Sequence, residues 1–489
     1  MHLGIDLGTS GVKAVLTAAD GALLAQATAP PLAVSTPHPL WSEQDPAAWW
    51  HAAVAALQQL GTLHDLSAVR GVGLAGQMHG SVLLDASDRV LRPAILWNDG
   101  RSGTECRDLE AAEPRSRAIT GNLAMPGFTA PKLLWVRRHE PELFARTRRV
   151  LLPKDWLRLQ MTGEAISEMS DASGTLWLDV GRRRWSSEML AATGLSEDHM
   201  PRLIEGTAAG GYLRPEAARA LGLPAGIPVA GGGGDNAAGA AGIGCVAPGD
   251  AFVSLGTSGV IFVSDPGFLP DPARTVHAFC HCVPGTWHRM SVILSAGASL
   301  AWIAGITGAD EAALLAEAER ESPRDRPVFL PYLSGERTPH NNPAASGVFF
   351  GLTGATTRAA MTLALLEGVA FALADGLDAL EARGGRIAGL TAIGGGSRSA
   401  LWLRIVAAAM QRTLHTAEGS DVGPALGAAR LARVCSGDAS TAETFVKPAI
   451  TARFDPCPAL IEALTPRRAL YRRLYPALQP MFTTPEIAE

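Results

Sequence analysis

The densest chemistry in this chain lies between Gly231 and Gly259, in the stretch GGGGDNAAGAAGIGCVAPGDAFVSLGTSG. One acid, Asp235, follows four glycines and precedes Asn236 and a run of small residues. Glycines admit close backbone approach, so a substrate hydroxyl can be brought against this carboxylate, which then serves as a general base. The same letters also suit an aspartate capping a helix, and the two roles are compatible. Further on, LGTSGV at 255–260 repeats letter for letter the LGTSGV at 7–12. In each copy a glycine, a threonine and a serine (Gly8, Thr9, Ser10 and Gly256, Thr257, Ser258) offer N–H and O–H donors to phosphate oxygens. Either copy alone could be a plain β-turn. Their identity favours two phosphate loops from two halves facing one ligand. Asp6 stands three places before Thr9, where the second copy has Ser254 before Thr257, so the first loop alone can also hold a cation. Neither copy has the GxxxxGK[ST] spacing of a Walker A loop.

The elements around these residues read as α/β throughout. Short apolar runs at 2–5 and 12–16, and again across 251–263, make each LGTSG the tip of a hairpin. Asp45-Pro46 opens a helix in the order N-cap then N1, and Gly61 closes it. A strand at 69–74 ends in AGQMHG, whose Gln77, Met78 and His79 suit either a ligand wall or turn chemistry. Strands are expected at 82–84 and 94–97. The second leads to Trp97, Asn98, Asp99 and Arg101 at its carboxyl end, where α/β proteins place ligand-binding groups. Helical patterns fill much of 103–160, with Lys132 and Trp135 near one start, and SEMSDASGT at 167–175 reads as a polar loop. A strand at 228–230 enters GGGGD. A helix over 357–383 precedes a strand at 390–393, the loop GGGSRS at 394–399 and a helix at 400–411. Strand, triple glycine and helix suit a nucleotide, although glycine runs also serve plain packing. A further helix spans 421–434 with Pro424 in its first turn, and the tail after 447 reads as irregular, then briefly helical. Two halves result, 1–245 and 250–489, joined near 246–249, with the site expected in the cleft between them.

Composition excludes several classes. A hydrophobic share of 47% with 18% charged residues fits a chain with a large core rather than disorder. A formal net charge of −5 offers no electrostatic reason for a nucleic-acid or membrane partner. The opening MHLGIDLGTSG lacks a basic and apolar leader pattern, so the expectation is a cytoplasmic protein with its six cysteines reduced. HAFCHC at 277–282 reads as a strand. A metal site there would need a second ligand pair that the sequence does not supply.

The collected motifs resemble the FGGY family of carbohydrate kinases over essentially the whole chain. They are GIDLGTSGVK at 4–13, GQMHG at 76–80, WNDGR at 97–101, GFTAPKLLWV at 127–136, GGGDNAAGA at 232–240, SLGTSG at 254–259, FLPYLSGERTPH at 329–340, GVFFGL at 347–352 with Glu367-Gly368, and GGGSRS at 394–399. The resemblance implies two actin-like, ribonuclease H-like domains closing on a central cleft, as in the sugar kinase, hexokinase and actin group. The first would carry the sugar side and the second mainly the ATP side. It implies ATP and Mg²⁺, with Asp235 as base and Asp6 and Asp235 on the metal side. Gly8, Thr9, Ser10, Gly256, Thr257 and Ser258 would lie on the phosphates, and Gly395, Gly396 and Ser399 against the adenosine. GQMHG with GGGDNA points to members acting on D-xylulose at its 5-hydroxyl, held by Met78, His79, Trp97, Asp99, Arg101 and Asn236. His79 would act there as a hydrogen-bond donor rather than an acid or base. Ribulose, gluconate or another polyol remain alternative substrates. An actin-like ATPase remains a rival of another class, and a homodimer is a family-level expectation. A sugar-responsive transcription factor would need a basic helix-turn-helix, and no such segment is found at either terminus.

Overall fold

The computed structural model describes residues 1–321, 326–419 and 422–482. His2–Leu7 and Val12–Thr17 are mostly apolar and almost wholly buried, and they pair antiparallel from His2 opposite Thr17 to Leu7 opposite Val12. The intervening tip is closed by the Gly8 N–H donating to the Gly11 carbonyl at 3.0 Å. Ala251–Leu255 and Gly259–Asp265 repeat the arrangement, with Leu255 opposite Gly259. In both copies the first hairpin strand also has a parallel partner that runs into a glycine loop. His2–Leu7 lies beside Gly71–Gly76, which leads to Gln77, Met78 and His79. Ala251–Leu255 lies beside Gly389–Ile393, which leads to the 394–399 loop. The repeated letters thus mark a repeated construction.

Each hairpin belongs to a seven-stranded mixed sheet. The first runs in the order Ala209–Tyr212, Pro228–Ala230, Gly71–Gly76, His2–Leu7, Val12–Thr17, Leu23–Thr28, with Gly233–Gly234 added beside Gly71–Gly76. The second runs His277–Cys280, Trp287–Ile293, Gly259–Asp265, Ala251–Leu255, Gly389–Ile393, Thr413–Ala417, Ile450–Phe454. The two are knitted together by more than the connection between them. Helix Pro424–Cys435, late in the chain, lies on His2–Leu7 and Gly71–Gly76 and crosses helix Asp235–Gly242. The approach is so close that a Cβ on Gly73 would collide with the Ala428 carbonyl. A core of Leu83, Phe128, Leu133 and Trp177 from the first half likewise continues into Phe252, Phe262 and Phe279 of the second.

Several expectations change. Helix Pro46–Leu63 is capped by the Asp45 side chain as read, but it runs through Gly61 and ends at His64. Only Ala94–Ile95 of the 94–97 run is strand. The 167–175 stretch, expected to be a polar loop, is strand Ile166–Glu168 and helix Met169–Ser173, all buried. Part of its polarity is met inside: the Glu168 carboxylate accepts from the Ser170 and Asp171 N–H groups, and the buried Lys154 Nζ lies 2.5 Å from Asp155, 3.4 Å from Asp171 and 3.7 Å from Glu168, whereas Ser167 Oγ and both Asp171 oxygens have no hydrogen-bond partner. The tail, expected to be irregular and then briefly helical, holds strand Ile450–Phe454 and a 21-residue helix, Pro458–Leu478, which runs through Pro466 and Pro476. The helix expected from 421 is Pro424–Cys435, and Asp421 lies outside the described residues. HAFCHC gives strand His277–Cys280, and among the described residues no cluster of three His, Cys, Asp or Glu side chains could hold a metal. The expected 357–383 helix is Arg358–Glu381, capped by Thr357. It is apolar and long enough to span a bilayer, yet 89% of its most apolar window is buried in the protein.

Candidate active site

Asp235 is the first residue of helix Asp235–Gly242, with Gly234 rather than the aspartate at the N-cap. The glycine run ahead of it forms one more short strand, Gly233 and Gly234 pairing with Ala75 and Gly76. That pairing sets the acid beside the GQMHG loop. A Cβ on Gly234 would stand 2.8 Å from the Met78 Cγ and Sδ, so glycine is required for this approach. From behind, Ser170 Oγ accepts the Gly234 N–H at 3.0 Å and Arg158 donates to the Gly231 carbonyl. The Asp235 Oδ1 accepts from the backbone N–H of Asn236 at 2.7 Å and from its Nδ2 at 2.9 Å. Burial raises the carboxyl to about 6 against the pull of these two bonds. Such a carboxylate is ionised at neutral pH yet more basic than a surface aspartate.

A cavity of about 270 Å³ opens in front of it, at the small end of ligand sites. Both halves line it. Met78, His79, Trp97, Asp235 and Asn236 come from the first, and Ser254, Gly256 and Ser258 come from the second. The first hairpin tip reaches the same place through Thr9, whose hydroxyl accepts from Trp97 Nε1 at 2.9 Å and donates to Gln77 Oε1 at 2.8 Å. Gly8 and Ser10 complete that tip, with Ser10 exposed. The second tip is backed by the start of helix Gly297–Thr307. There Gly297 N–H donates to the Gly256 carbonyl, and the Ala296 and Ala298 N–H groups donate to the Thr257 carbonyl. Gly394 and Gly396 abut Leu255 and Gly256, so the 394–399 loop and the second tip adjoin. Gly395 is exposed there, and Ser399 caps helix Ala400–Met410.

Asp6 sits near the end of the first hairpin strand, opposite Lys13. Its Oδ1 is buried with no hydrogen-bond partner. Burial, and then the Asp235 charge, push it up to about 7, with Lys13 pulling the other way. Two mutually repelling carboxyls, one with an orphaned oxygen, are a donor set suited to a hard divalent cation completed by phosphate oxygens and water.

His79 holds a left-handed backbone, φ 68°. Its carbonyl accepts from Lys132 Nζ at 2.9 Å and Thr129 Oγ1 at 3.1 Å, which fixes that strained geometry. Its Nδ1 lies 2.7 Å from the Gly174 carbonyl, an acceptor only, so Nδ1 carries the proton and Nε2 is an acceptor. Burial lowers the ring to about 3, which keeps it neutral. His79 therefore offers the cavity an acceptor, not the donor expected from the sequence.

Asp99 and Arg101 do not line this cavity, although Asp99 lines a second hollow that shares Trp97, Met125 and Gly127 with it. Asp99 accepts from the Ser42 N–H at 2.6 Å and pairs with Arg101 at 2.7 Å. Arg101 also pairs with Glu43 at 2.7 Å and lies over the Trp41 ring at 3.8 Å. Together they brace the wall behind Trp97. Side chains for which the sequence suggests no sugar-side role do line the cavity, notably Phe128, Arg337 and His277, the last weighed only as part of HAFCHC. Lys132, buried and lowered by burial to about 7, supports it through the His79 and Gly127 carbonyls. A lone lysine in GFTAPKLLWV and the arginine of FLPYLSGERTPH were the available signals.

Comparison with known proteins agrees with this construction. Residues 1–242 match the N-terminal domain of the FGGY family of carbohydrate kinases, and residues 251–435 match its C-terminal domain. The chain is 54% identical to the xylulose kinase of Escherichia coli (strain K12), over 98% of this chain and 100% of that one. It is 37% identical to the xylulose kinase of Bacillus subtilis (strain 168), over 97% and 96%. A crystallised xylulose kinase of Brucella ovis superposes with a TM-score of 0.94 at 52% identity, covering 98% of this chain and 99% of that chain. The two-sheet architecture is accordingly the actin-like sugar kinase fold, and the chain belongs to the FGGY family of carbohydrate kinases.

Proposed function

We propose that this chain transfers the γ-phosphoryl group of ATP to the 5-hydroxyl of D-xylulose, with Asp235 as general base. The observation that carries the reading is a raised carboxylate in a cavity walled by the second LGTSG tip and tied to the first through Trp97 and Thr9. High identity to curated xylulose kinases supports the choice of sugar.

In this mechanism Met78, His79, Trp97 and Asn236 hold the sugar, and the glycine run lets its hydroxyl reach Asp235. The hydroxyl proton passes to Asp235, the hydroxyl oxygen bonds to the γ-phosphorus, and the bond from that phosphorus to the bridging oxygen breaks to leave ADP. Thr9, Ser10, Thr257 and Ser258 place donors on the phosphate oxygens, with Gly8 and Gly256 allowing close approach. Gly395, Gly396 and Ser399 face the adenosine. Asp6 and Asp235 would hold Mg²⁺, which supplies charge neutralisation when bound. Walls from both halves exclude water and favour sugar over hydrolysis. Residues 1–245 serve the sugar side and 250–489 mainly the ATP side, in a cytoplasmic homodimer.

The deciding experiment is coupled ADP detection with D-xylulose, D-ribulose, gluconate, glycerol and no sugar. The expected result is strong stimulation by D-xylulose above the others. ADP release independent of any sugar would overturn the kinase reading in favour of an actin-like ATPase.

A further inference from the structure

The described polar groups lining the cavity divide unevenly between donors and acceptors. Asp235 is an acceptor, and so is His79 Nε2. His277 joins them, because its Nδ1 lies 3.0 Å from Asn122 Oδ1 and must donate there, leaving Nε2 an acceptor. The Trp97 N–H is already given to Thr9 and one of the two Asn236 Nδ2 hydrogens to Asp235, while Asn236 and the Ser254 and Ser258 hydroxyls can each both donate and accept. Against these, one side chain is purely a donor: the guanidinium of Arg337. Among the described residues no carboxylate lies within 4 Å of it, although Arg101, Arg289 and Arg326 are all ion-paired.

Arg337 is held on a stiff perch. Its N–H donates to Glu336 Oε1 at 2.7 Å, an oxygen that also accepts the Leu294 N–H at 3.1 Å. The Thr338 N–H donates to the Val292 carbonyl, and the Thr338 hydroxyl accepts the Val292 N–H. Residues 336–342 are closed by reciprocal bonds between Glu336 and Asn342. Arg337 also borders an adjoining hollow, lined with Trp97, Met125 and Leu294, that neither Asp235 nor either phosphate tip reaches. It therefore stands where the cavity meets this second hollow.

A ketose presents several hydroxyls, each donor and acceptor, and one oxygen that only accepts, its carbonyl. We infer that Arg337 is a specificity-determining residue that receives the ketose carbonyl, while Asp235 receives the hydroxyl at the other end of the sugar. The pair then acts as a two-ended gauge: an acceptor for the reacting hydroxyl and a charged donor for the carbonyl. An alditol of the same length has a hydroxyl where the ketose has its carbonyl, and gains less from a donor-only partner. This inference rests on the sugar-kinase reading above.

The test compares D-xylulose with xylitol and D-arabitol, using the full-length protein, Arg337→Met, Arg337→Gln and Arg337→Lys. Wild-type turnover of D-xylulose tests the underlying reading and is scored first. In Arg337→Met, kcat/KM for the ketose should fall about 10- to 100-fold, mostly through KM, with alditols changing less than about threefold. Arg337→Gln, which keeps an amide donor, should retain part of the preference and Arg337→Lys most of it. Where alditol turnover is too slow to measure, ligand titration by isothermal calorimetry gives the same ratio from binding. An equal fall for ketose and alditol in correctly folded Gln and Lys variants would reduce Arg337 to a structural role. An unchanged ketose kcat/KM in any charge-removing variant would overturn the inference outright.

Discussion

Replacing Asp235 by asparagine removes one charge and almost nothing else. In Asp235→Asn the new amide oxygen can still accept from the Asn236 N–H, which lies 2.7 Å from the native Oδ1, and the glycine strand beside Ala75 and Gly76 needs no side chain. What disappears is the acceptor for the sugar proton. General bases contribute about 10²- to 10⁴-fold, equivalent to about 3–5 kcal/mol of transition-state stabilisation. We therefore expect kcat for D-xylulose to fall by that factor while ATP and sugar still bind. Stability should move the opposite way. Because the native carboxyl is raised to about 6 from 3.8, its burial penalty is absent below pH 3.8, grows as pH rises and is complete above about pH 6. Removing it should stabilise the protein by about 1–3 kcal/mol near pH 7.5, discounted because the group is partly open to the cavity, and by nothing near pH 3.5. Coupled ADP release, ligand titration and thermal melts at both pH values read all three quantities. Near-normal sugar phosphorylation in the variant would remove Asp235 from the base role, whatever the melts show.

Two other outcomes follow from the site. Asp6 and Asp235, raised to about 7 and about 6, both hold protons in acid, so a divalent cation must displace them there. Mg²⁺ should raise Tm clearly near pH 8 and much less near pH 5.5, and Asp6→Asn should abolish most of that difference. Lys132→Met strips a donor from the His79 and Gly127 carbonyls and should cost about 1–3 kcal/mol. Loosening the left-handed His79 should also raise KM for the sugar more than it lowers kcat, as measured by steady-state kinetics.

The parts legible in the sequence are those whose chemistry needs particular residue types next to one another. A hairpin tip for phosphate requires its glycines and hydroxyls in series, and LGTSG supplies them twice. The acid after a glycine run was visible for the same reason. Groups that act through tertiary neighbours were not. The tautomer of His79 depends on Gly174, 95 residues away. The importance of Arg337 depends on which other cavity groups have already spent their donors. Asp99 and Arg101 looked available for ligand because nothing nearby in sequence announces Glu43, Ser42 and Trp41, which engage them. SEMSDASGT reads as a polar loop because nothing nearby in sequence announces Lys154, which lies on a different helix and faces its acids. The last helix is longer than the brief one expected, because burying Leu464, Tyr471, Leu474 and Tyr475 outweighs the local penalty of Pro466 and Pro476.

Helix Pro424–Cys435 covers the first sheet although it is made almost two hundred residues after that sheet is complete. A nascent or severed fragment ending near residue 245 would thus carry an uncovered face at Gly4 and Gly73, where only a backbone-thin neighbour fits. The chain cannot finish its first half before its last quarter has been synthesised. Expression of 1–245 alone should give a loosely packed species, and co-expression with 250–489 should restore a cooperative unit. Equilibrium unfolding of the whole chain should accordingly lose both sheets together, which makes this enzyme's two lobes one thermodynamic object despite their separate sheets.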